Sequence, residues 1–254
     1  MKINRKKVLI FGLGRLGGGV AAAKWWSKNN AILRITDLLP KKELAKSINK
    51  LKDIKIQYIF GQNRKEDIDW ADIINVNPGV FYKHPLIEYA RKKNKQIEND
   101  CSLFFKFTPA PIAAITGTRG KTTTSTWLYY FIKSARSKII LGGNQPDKAL
   151  LEILPKLTQD SIAVIELSSF QLEFCQSAPK LAIITNLLTD HLNRYSDLKT
   201  YAKIKANIFI NQTSNDFLIL NKDNNWTKFY LGLKPKSQVF LISAKPLSQN
   251  EKGI

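Results

Sequence analysis

Cysteine is nearly absent: the 254 residues hold two, Cys101 and Cys175. They lie far apart with no metal-ligand spacing, which excludes a disulfide framework and fits a reducing compartment. Long apolar runs are missing too. None approaches the roughly 20 residues that span a bilayer. The start, Met1 to Leu13, has a basic head and the apolar Val8-Leu9-Ile10-Phe11, but the run is too short for a secretory signal and feeds a glycine-rich turn. A soluble, cytoplasmic protein with no membrane partner is expected. No internal repeat or low-complexity block occurs. Acidic residues number 20 against 40 Lys and Arg, a formal net charge of +20. The basic residues are scattered, as in Lys41-Lys42, Lys46 and Arg91-Lys92-Lys93, where they suit the outer faces of amphipathic helices. A dense basic tract with interleaved aromatics, which a single-strand binder needs, is lacking. A solvated lysine-rich surface that steers phosphorylated anions is therefore expected in place of a nucleic-acid footprint.

What is present is a repeated alternation of short apolar runs and helix-compatible stretches, the pattern of an α/β fold with parallel sheets. A length of 254 residues and 44% hydrophobic content suit two domains. The first unit opens with a strand, Val8 to Phe11, then Gly12-Leu13-Gly14-Arg15-Leu16-Gly17, a helix from about Val20 to Lys28, and a strand Ile32 to Thr36 ending in Asp37. This is G-x-G-x-x-G with an acidic residue about 20 positions later, the Rossmann fingerprint. It places a nucleotide or diphosphate at the first helix N-terminus with Asp37 near a sugar or base; a turn that only packs helix against strand fits the same glycines. A helix Lys41 to Leu51, a strand Ile54 to Phe60, a short polar segment and a strand Ile73 to Val76 follow. Asn77-Pro78-Gly79-Val80 then turns at the strand edge where open α/β sheets bind ligands. A helix Pro85 to Lys93, with His84 before it as a cap or a surface residue, and Gln96 to Glu98 close the unit. Phe104 to Pro111 reads as the boundary.

The second unit is organised around Ile115-Thr116-Gly117-Thr118-Arg119-Gly120-Lys121-Thr122-Thr123-Thr124. An apolar strand ends in a glycine turn, and a helix-compatible run, Thr122 to Lys133, follows at once. Backbone N–H groups and the helix dipole favour an anion there, Lys121 adds a cation and Thr122 a hydroxyl for Mg²⁺. Ile115 stands where the general P-loop has its first glycine, and a turn with a merely solvated lysine remains open on these residues alone. Gly142-Gly143-Asn144 carries a polar side chain toward the same sheet edge, and a helix Lys148 to Leu154 follows. Glu166, at the tip of the strand Ser161 to Ile165, occupies the place where P-loop enzymes keep a Mg²⁺ ligand; as a lone residue it reads more often as a solvated strand end, and its weight comes from this context. His191, one of two histidines with His84, follows the strand Leu181 to Thr185 and suits a metal or phosphate role. The helix Leu198 to Ile210 carries Lys203 and Lys205, both solvated by periodicity. Polar Asn221 to Asn225 and a weak strand Val239 to Ser243 follow the strand Phe217 to Leu220.

GLGRLG, NPGV, ITGTRGKTTT, GGN, ELSSFQLE, TNLLTDHLNRY and YAKIKANIF, in this order over about Val8 to Asn221, resemble the Mur ligases, and ELSSFQLE after GGN resembles their D-glutamate-adding branch. The resemblance implies a Rossmann-like UDP-substrate domain over 1–107 and part of a P-loop-type ATP-binding central domain over 108–254, with the family's third domain absent. It implies ATP and Mg²⁺ as cofactors, and UDP-N-acetylmuramoyl-L-alanine and D-glutamate as partners of a monomer. In the implied reaction a carboxylate becomes an acyl phosphate that an amine attacks. Catalytic roles fall on Lys121, Glu166, His191 and Lys205. Gly117, Thr118, Arg119, Gly120, Lys121, Thr122 and Thr123 hold ATP. Thr122, Glu166, His191 and a carbamylated Lys205 hold metal. Gly14, Arg15, Leu16, Asp37, Asn77 and Gly79 serve the UDP end, and Asn144 and Ser168 the muramoyl-alanine end. Leu16 stands for a frequent Thr and Asn193 for a frequent Asp. By itself the 254-residue chain is expected to bind without turnover; a non-catalytic binding module and, from the first glycine turn alone, an NAD-dependent oxidoreductase are the alternatives.

Overall fold

The computed structural model describes residues 3–135, 138–144 and 148–254. The chain divides into two compact units, Met1–Leu103 and Phe104–Ile254. In the first, the order is β1 (Lys7–Phe11), α1 (Gly18–Lys28), β2 (Ile32–Asp37), α2 (Ala45–Asn49), β3 (Ile56–Phe60), α3 (Lys65–Trp70), β4 (Ile73–Val76), α4 (Pro85–Lys92) and β5 (Gln96–Glu98). The strands form a parallel sheet ordered β3-β2-β1-β4-β5. Strands covered on both faces need continuous apolar runs, and the central β1 and β4 are buried along nearly their whole length, whereas edge strand β3 is half-buried. Trp26 is fully enclosed, and its indole N–H donates to Asn75 Oδ1 at 2.9 Å, so the core's largest ring carries no orphaned donor. The order reverses between β1 and β4, which opens a crevice at their C-terminal ends.

The unit boundary falls inside α5 (Asp100–Phe107), so the stretch beginning at Phe104 starts as helix, not as a linker. The second unit runs β6 (Ile112–Thr116), α6 (Lys121–Ala135), β7 (Ile139–Gly143), α7 (Leu150–Ile153), β8 (Ile162–Glu166), α8 (Ser169–Leu172), β9 (Leu181–Ile184), α9 (Leu198–Ala206), β10 (Phe217–Asn221), α10 (Thr227–Gly232) and β11 (Gln238–Ile242). Its sheet, ordered β11-β10-β9-β6-β8-β7, is parallel throughout. Strand β6 lies between β8 and β9 and is buried at every position. Ala113, Ile115, Ile139, Val164 and Ile183 form the core under Leu128, Tyr129 and Ile132 of α6.

Several helical expectations need correction. The helix expected over Lys41 to Leu51 breaks into a 3₁₀ turn, Lys41–Leu44, and the short α2. The expected helix Lys148 to Leu154 shortens to α7, after which Leu154–Lys156 with Pro155 forms a 3₁₀ turn. Helix α3 occupies the segment read as polar connection, and α10 follows polar Asn221 to Asn225. Among the described residues no helix is long and apolar enough to cross a membrane.

Gly143 ends β7 at φ 113°, where a Cβ would lie 2.1 Å from the Glu166 carbonyl oxygen. Gly143→Ala combines left-handed strain with a backbone clash and should cost roughly 2–4 kcal/mol. Gly232→Ala, in open space on α10, should change stability by less than about 1 kcal/mol. Urea denaturation of the two variants checks this; equal losses would contradict it.

Candidate active site

In the first unit the turn after β1 and the turn after β4 meet. The Asn77 amide N–H donates to the Phe11 carbonyl at 3.0 Å, and its side chain bridges the turns, with Nδ2 3.4 Å from the Leu13 carbonyl and Oδ1 accepting the Gly79 N–H at 2.9 Å. Asp37 accepts the Gly14 N–H on one oxygen and the Leu39 N–H on the other, each at 2.9 Å. The Ser47 hydroxyl donates to the Gly14 carbonyl at 2.8 Å. Asp37, expected near a sugar or base, is a brace that shapes the glycine turn, a role its spacing did not reveal. Arg15 is exposed and 3.5 Å from Glu43, and Leu16 is fully exposed. Both stand open to solvent at the turn.

The second unit gathers its chemistry at the tip of β6. Thr116 Oγ1 donates to the Leu167 carbonyl at 2.8 Å. From β9's end, Asn186 accepts the Thr118 N–H on its carbonyl and the Arg119 N–H on its side chain, both at 3.0 Å, and Thr185 Oγ1 donates to the Arg119 carbonyl at 2.7 Å. Gly117 is required here: its φ is 151°, and a Cβ would lie 1.9 Å from Thr185 Oγ1. Gly120 then leads into α6, whose first residue is Lys121. Lys121 Nζ donates to the Thr118 carbonyl at 3.1 Å, across the loop. Thr123 is exposed on the same helical turn.

Thr122 Oγ1 donates to Glu166 Oε2 at 2.8 Å, and Glu166 is 2% exposed. Hard oxygen donors are the chemistry Mg²⁺ takes, so this pair fits two donors to one ion. Among the described residues no three His, Cys, Asp or Glu side chains cluster as a ready metal site. The Asn144 N–H donates to the Glu166 carbonyl at 2.8 Å, which brings the Gly142-Gly143-Asn144 turn to this edge. The Asn144 side chain is exposed, and residues 145–147 lie outside the described residues. Ser168 caps α8 in a reciprocal pair with Gln171, so its hydroxyl is engaged in local structure.

Lys205 corrects the reading from periodicity: it is 1% exposed, while Lys203 is exposed. Asp197 caps α9 by accepting the Thr200 N–H, and the helix buries Tyr201, Ala202, Lys205 and Ala206, a face set by i, i+4 spacing. Lys205 Nζ donates to the Gly117 carbonyl at 2.8 Å and lies 3.3 Å from Thr116 Oγ1 and 4.7 Å from the Tyr201 ring centre. Burial first, then the Lys121 charge, pull its pKa down to about 7 against the opposing Asp190. His191, at φ 54°, packs 4.9 Å from Phe170 and 5.8 Å from Tyr201 between ring centres. Burial, assisted by Lys205, Lys121 and Arg194, lowers its pKa and outweighs Asp190. The shift favours the neutral imidazole over the charged form.

Sequence reasoning missed the contact joining two motifs. Glu173, closing ELSSFQLE, accepts Arg194 Nε at 2.7 Å and Nη2 at 2.6 Å, and the Tyr195 hydroxyl at 2.9 Å. Only the presence of both residues inside quoted motifs hinted at it.

A glycine turn between a central parallel strand and a helix that begins with Lys-Thr, beside a buried carboxylate on the neighbouring strand, is the layout of a phosphate cradle in an α/β protein of parallel sheets. Residues 115–252 match the Mur ligase middle domain, and residues 6–98 match the Mur ligase MurD-like N-terminal domain. The chain belongs to the Mur ligase family, which removes the basis for the oxidoreductase alternative. It is similar to the UDP-N-acetylmuramoylalanine--D-glutamate ligase of Borreliella burgdorferi (strain ZS7), 38% identical over 245 residues, covering 95% of this chain and 53% of that protein. The ligase of the same name from Geobacter metallireducens is 34% identical over 225 residues, 88% of this chain and 49% of that protein. The chain thus spans about half the length of the curated relatives it matches. Among solved structures, UDP-N-acetylmuramate-alanine ligase from Thermotoga maritima superposes with TM-score 0.53 at 23% identity, covering 94% of this chain and 53% of that one. The UDP-N-acetylmuramate:L-alanyl-gamma-D-glutamyl-meso-diaminopimelate ligase from Neisseria meningitides gives 0.58 at 15%, covering 97% and 82%. These likenesses bear on the fold, an α/β arrangement of parallel sheets.

Between pH ~7 and ~10.5 the folded chain binds fewer protons at Lys205 than the unfolded chain, so this group's contribution to stability rises with pH across that window. Lys205→Met removes the buried amine. In bicarbonate-free buffer the variant's stability relative to the native chain should be greatest at and below pH 7, with a change on the order of a few kcal/mol across the window. Urea denaturation at a series of pH values tests this; a pH-independent difference would contradict the lowered pKa.

Proposed function

We propose that the chain carries the UDP-substrate-binding and ATP-binding portions of a ligase that joins D-glutamate to UDP-N-acetylmuramoyl-L-alanine. On this reading it works as a cytoplasmic monomer in making peptidoglycan precursor. The observation that carries the reading is the Thr122 hydroxyl on the buried Glu166 carboxylate at 2.8 Å, with Lys121 beginning the same helix. The names of the relatives supply the substrates.

The difficulty of the reaction is that a carboxylate is a poor electrophile, since oxide would have to leave. A carboxylate oxygen of the substrate attacks the γ-phosphorus of ATP and ADP departs, leaving an acyl phosphate. The amine of D-glutamate then attacks the acyl carbon, phosphate leaves and the amine proton is lost. Two anions must approach, so cations have to dominate the site. Lys121 and the turn N–H groups hold the β- and γ-phosphates. Thr122 and Glu166 would hold Mg²⁺, and His191 with Glu166 a second ion; such ions would supply positive charge against the phosphate oxygens.

Lys205 enters by a change of charge. An amine with a pKa of about 7 is substantially neutral in the cytoplasm, and its lone pair adds to CO₂ with loss of one proton. The resulting carbamate turns a buried amine into an anionic oxygen donor beside the phosphate loop, of the kind Mg²⁺ takes. In the first unit, Gly14, Arg15, Leu16, Asp37, Asn77 and Gly79 are assigned to the UDP end, and in the second Asn144 and Ser168 are assigned to the muramoyl-alanine end.

Because the chain spans about half the length of its relatives, the test reads binding, and the chain alone is expected to bind without turnover. Calorimetric titration should give saturable binding of UDP-N-acetylmuramoyl-L-alanine and weaker binding of ATP with Mg²⁺. Lys121→Ala should weaken ATP binding roughly 10- to 100-fold and change the UDP-substrate affinity less than about twofold, since the residues assigned to each lie mainly on different units. Equal loss of both ligands would count against two separate sites.

A further inference from the structure

Glu173 follows α8 with its side chain fully enclosed, paired with an Arg194 side chain that is also nearly so. From its carboxylate two lines of contact run to His191. In one, the Arg194 guanidinium, held at two points, lies 4.2 Å from the Phe170 ring centre, and Phe170 packs 4.9 Å from His191. In the other, Tyr195 donates its hydroxyl to Glu173 and stacks on Tyr201 at 5.3 Å and 22°. Tyr201 meets the edge of His191 at 5.8 Å and faces Lys205 Nζ.

We propose that Glu173 is the positioning residue of this site: through Arg194 and Phe170 on one side and Tyr195 and Tyr201 on the other, it fixes the orientation of the His191 ring. The inference rests on the ligase reading for what His191 does, but its geometry stands without it.

Energetics point the same way. Burial raises the Glu173 pKa even though Arg194 and Tyr195 pull against it, so the pair does not fully recover its desolvation cost. Enclosed ion pairs of this kind are commonly matched in stability by apolar residues. What a two-point contact adds is direction, because the planar guanidinium fork fixes its own rotation and presents a flat face to Phe170. His191 needs such support. Its φ of 54° is a strained backbone for a residue other than glycine, and such strain persists where the surroundings over-determine the conformation.

The chain's two histidines make the test direct, since His84 lies in the other unit and serves as an internal reference. In a histidine ring-selective NMR spectrum without nucleotide, the His191 ring signals should be displaced by the currents of Phe170 and Tyr201. In Glu173→Gln, which keeps an acceptor for Tyr195 but loses the charged fork, they should move toward free-histidine positions while those of His84 stay in place. Arg194→Lys retains the charge and removes the fork, so it should give the same shift and carries the test should the first variant fold poorly. Magnesium-dependent nucleotide binding should weaken about tenfold or more in both. His191 signals that coincide with the native ones in the folded variants would overturn the positioning role. The NMR readout contains no nucleotide, so a failure of the ligase reading would leave the ring-orientation result intact.

Discussion

The second unit depends on one buried amine. Lys205 Nζ donates to the Gly117 carbonyl at 2.8 Å from a helix that turns its small and aromatic residues inward. Neither that carbonyl nor the Thr116 hydroxyl carries a full charge, so burial drives the ammonium toward its neutral form. The same hydrogen bond ties α9 to the tip of β6. Gly117 must accept the amine on one side and pass Thr185 on the other, which leaves no room for a side chain. The turn that remains is anchored by Asn186 at two successive N–H groups, and it delivers Lys121 and Thr122 to the start of α6 beside Glu166. The shape of the glycine turn, the pairing of Thr122 with Glu166 and the lysine's altered acidity are consequences of one close-packed strand tip.

Charge is distributed to the same end. The net charge is +20, and among the described residues burial takes more acids than bases: Asp37, Asp67, Glu98 and Glu166 are buried, and Lys205 on the basic side. Acidic groups are spent on internal work. Asp37 braces a glycine turn, Asp67 accepts both Arg34 and Arg64, and Glu166 faces Thr122. Lysines remain outside, so the surface carries a larger positive excess than composition alone conveys. Such a field raises the encounter rate of nucleotide anions and is screened by salt.

The parallel strands were legible because strands covered on both faces read as unbroken apolar runs ending in glycine or a polar tip, as at Val8 to Phe11 and Ile73 to Val76. Helices were legible where a cap and an amphipathic face coincide, as at His84-Pro85 before Ile87 and Ala90. Short helices were not: α3, α8 and α10 have at most six residues, too few for a period to repeat. Lys205 was misread because Ile204 and Ile208 suggested one buried face while Tyr201, Ala202 and Ala206 select the one that includes the lysine. The Glu173 and Arg194 pair joins residues 21 apart in the chain, and no local pattern reports such a pairing. Motif order supplied the family; tertiary packing supplied how its residues act.

The central claim is that the buried amine at the tip of β6 is converted to an anion. Carbon-13 NMR of the chain in ¹³C-labelled bicarbonate near pH 7 tests it most directly. The account predicts one protein-bound carbamate carbonyl signal that Lys205→Met removes and Lys203→Met leaves in place. A spectrum without that signal, or a signal that survives Lys205→Met, would contradict it.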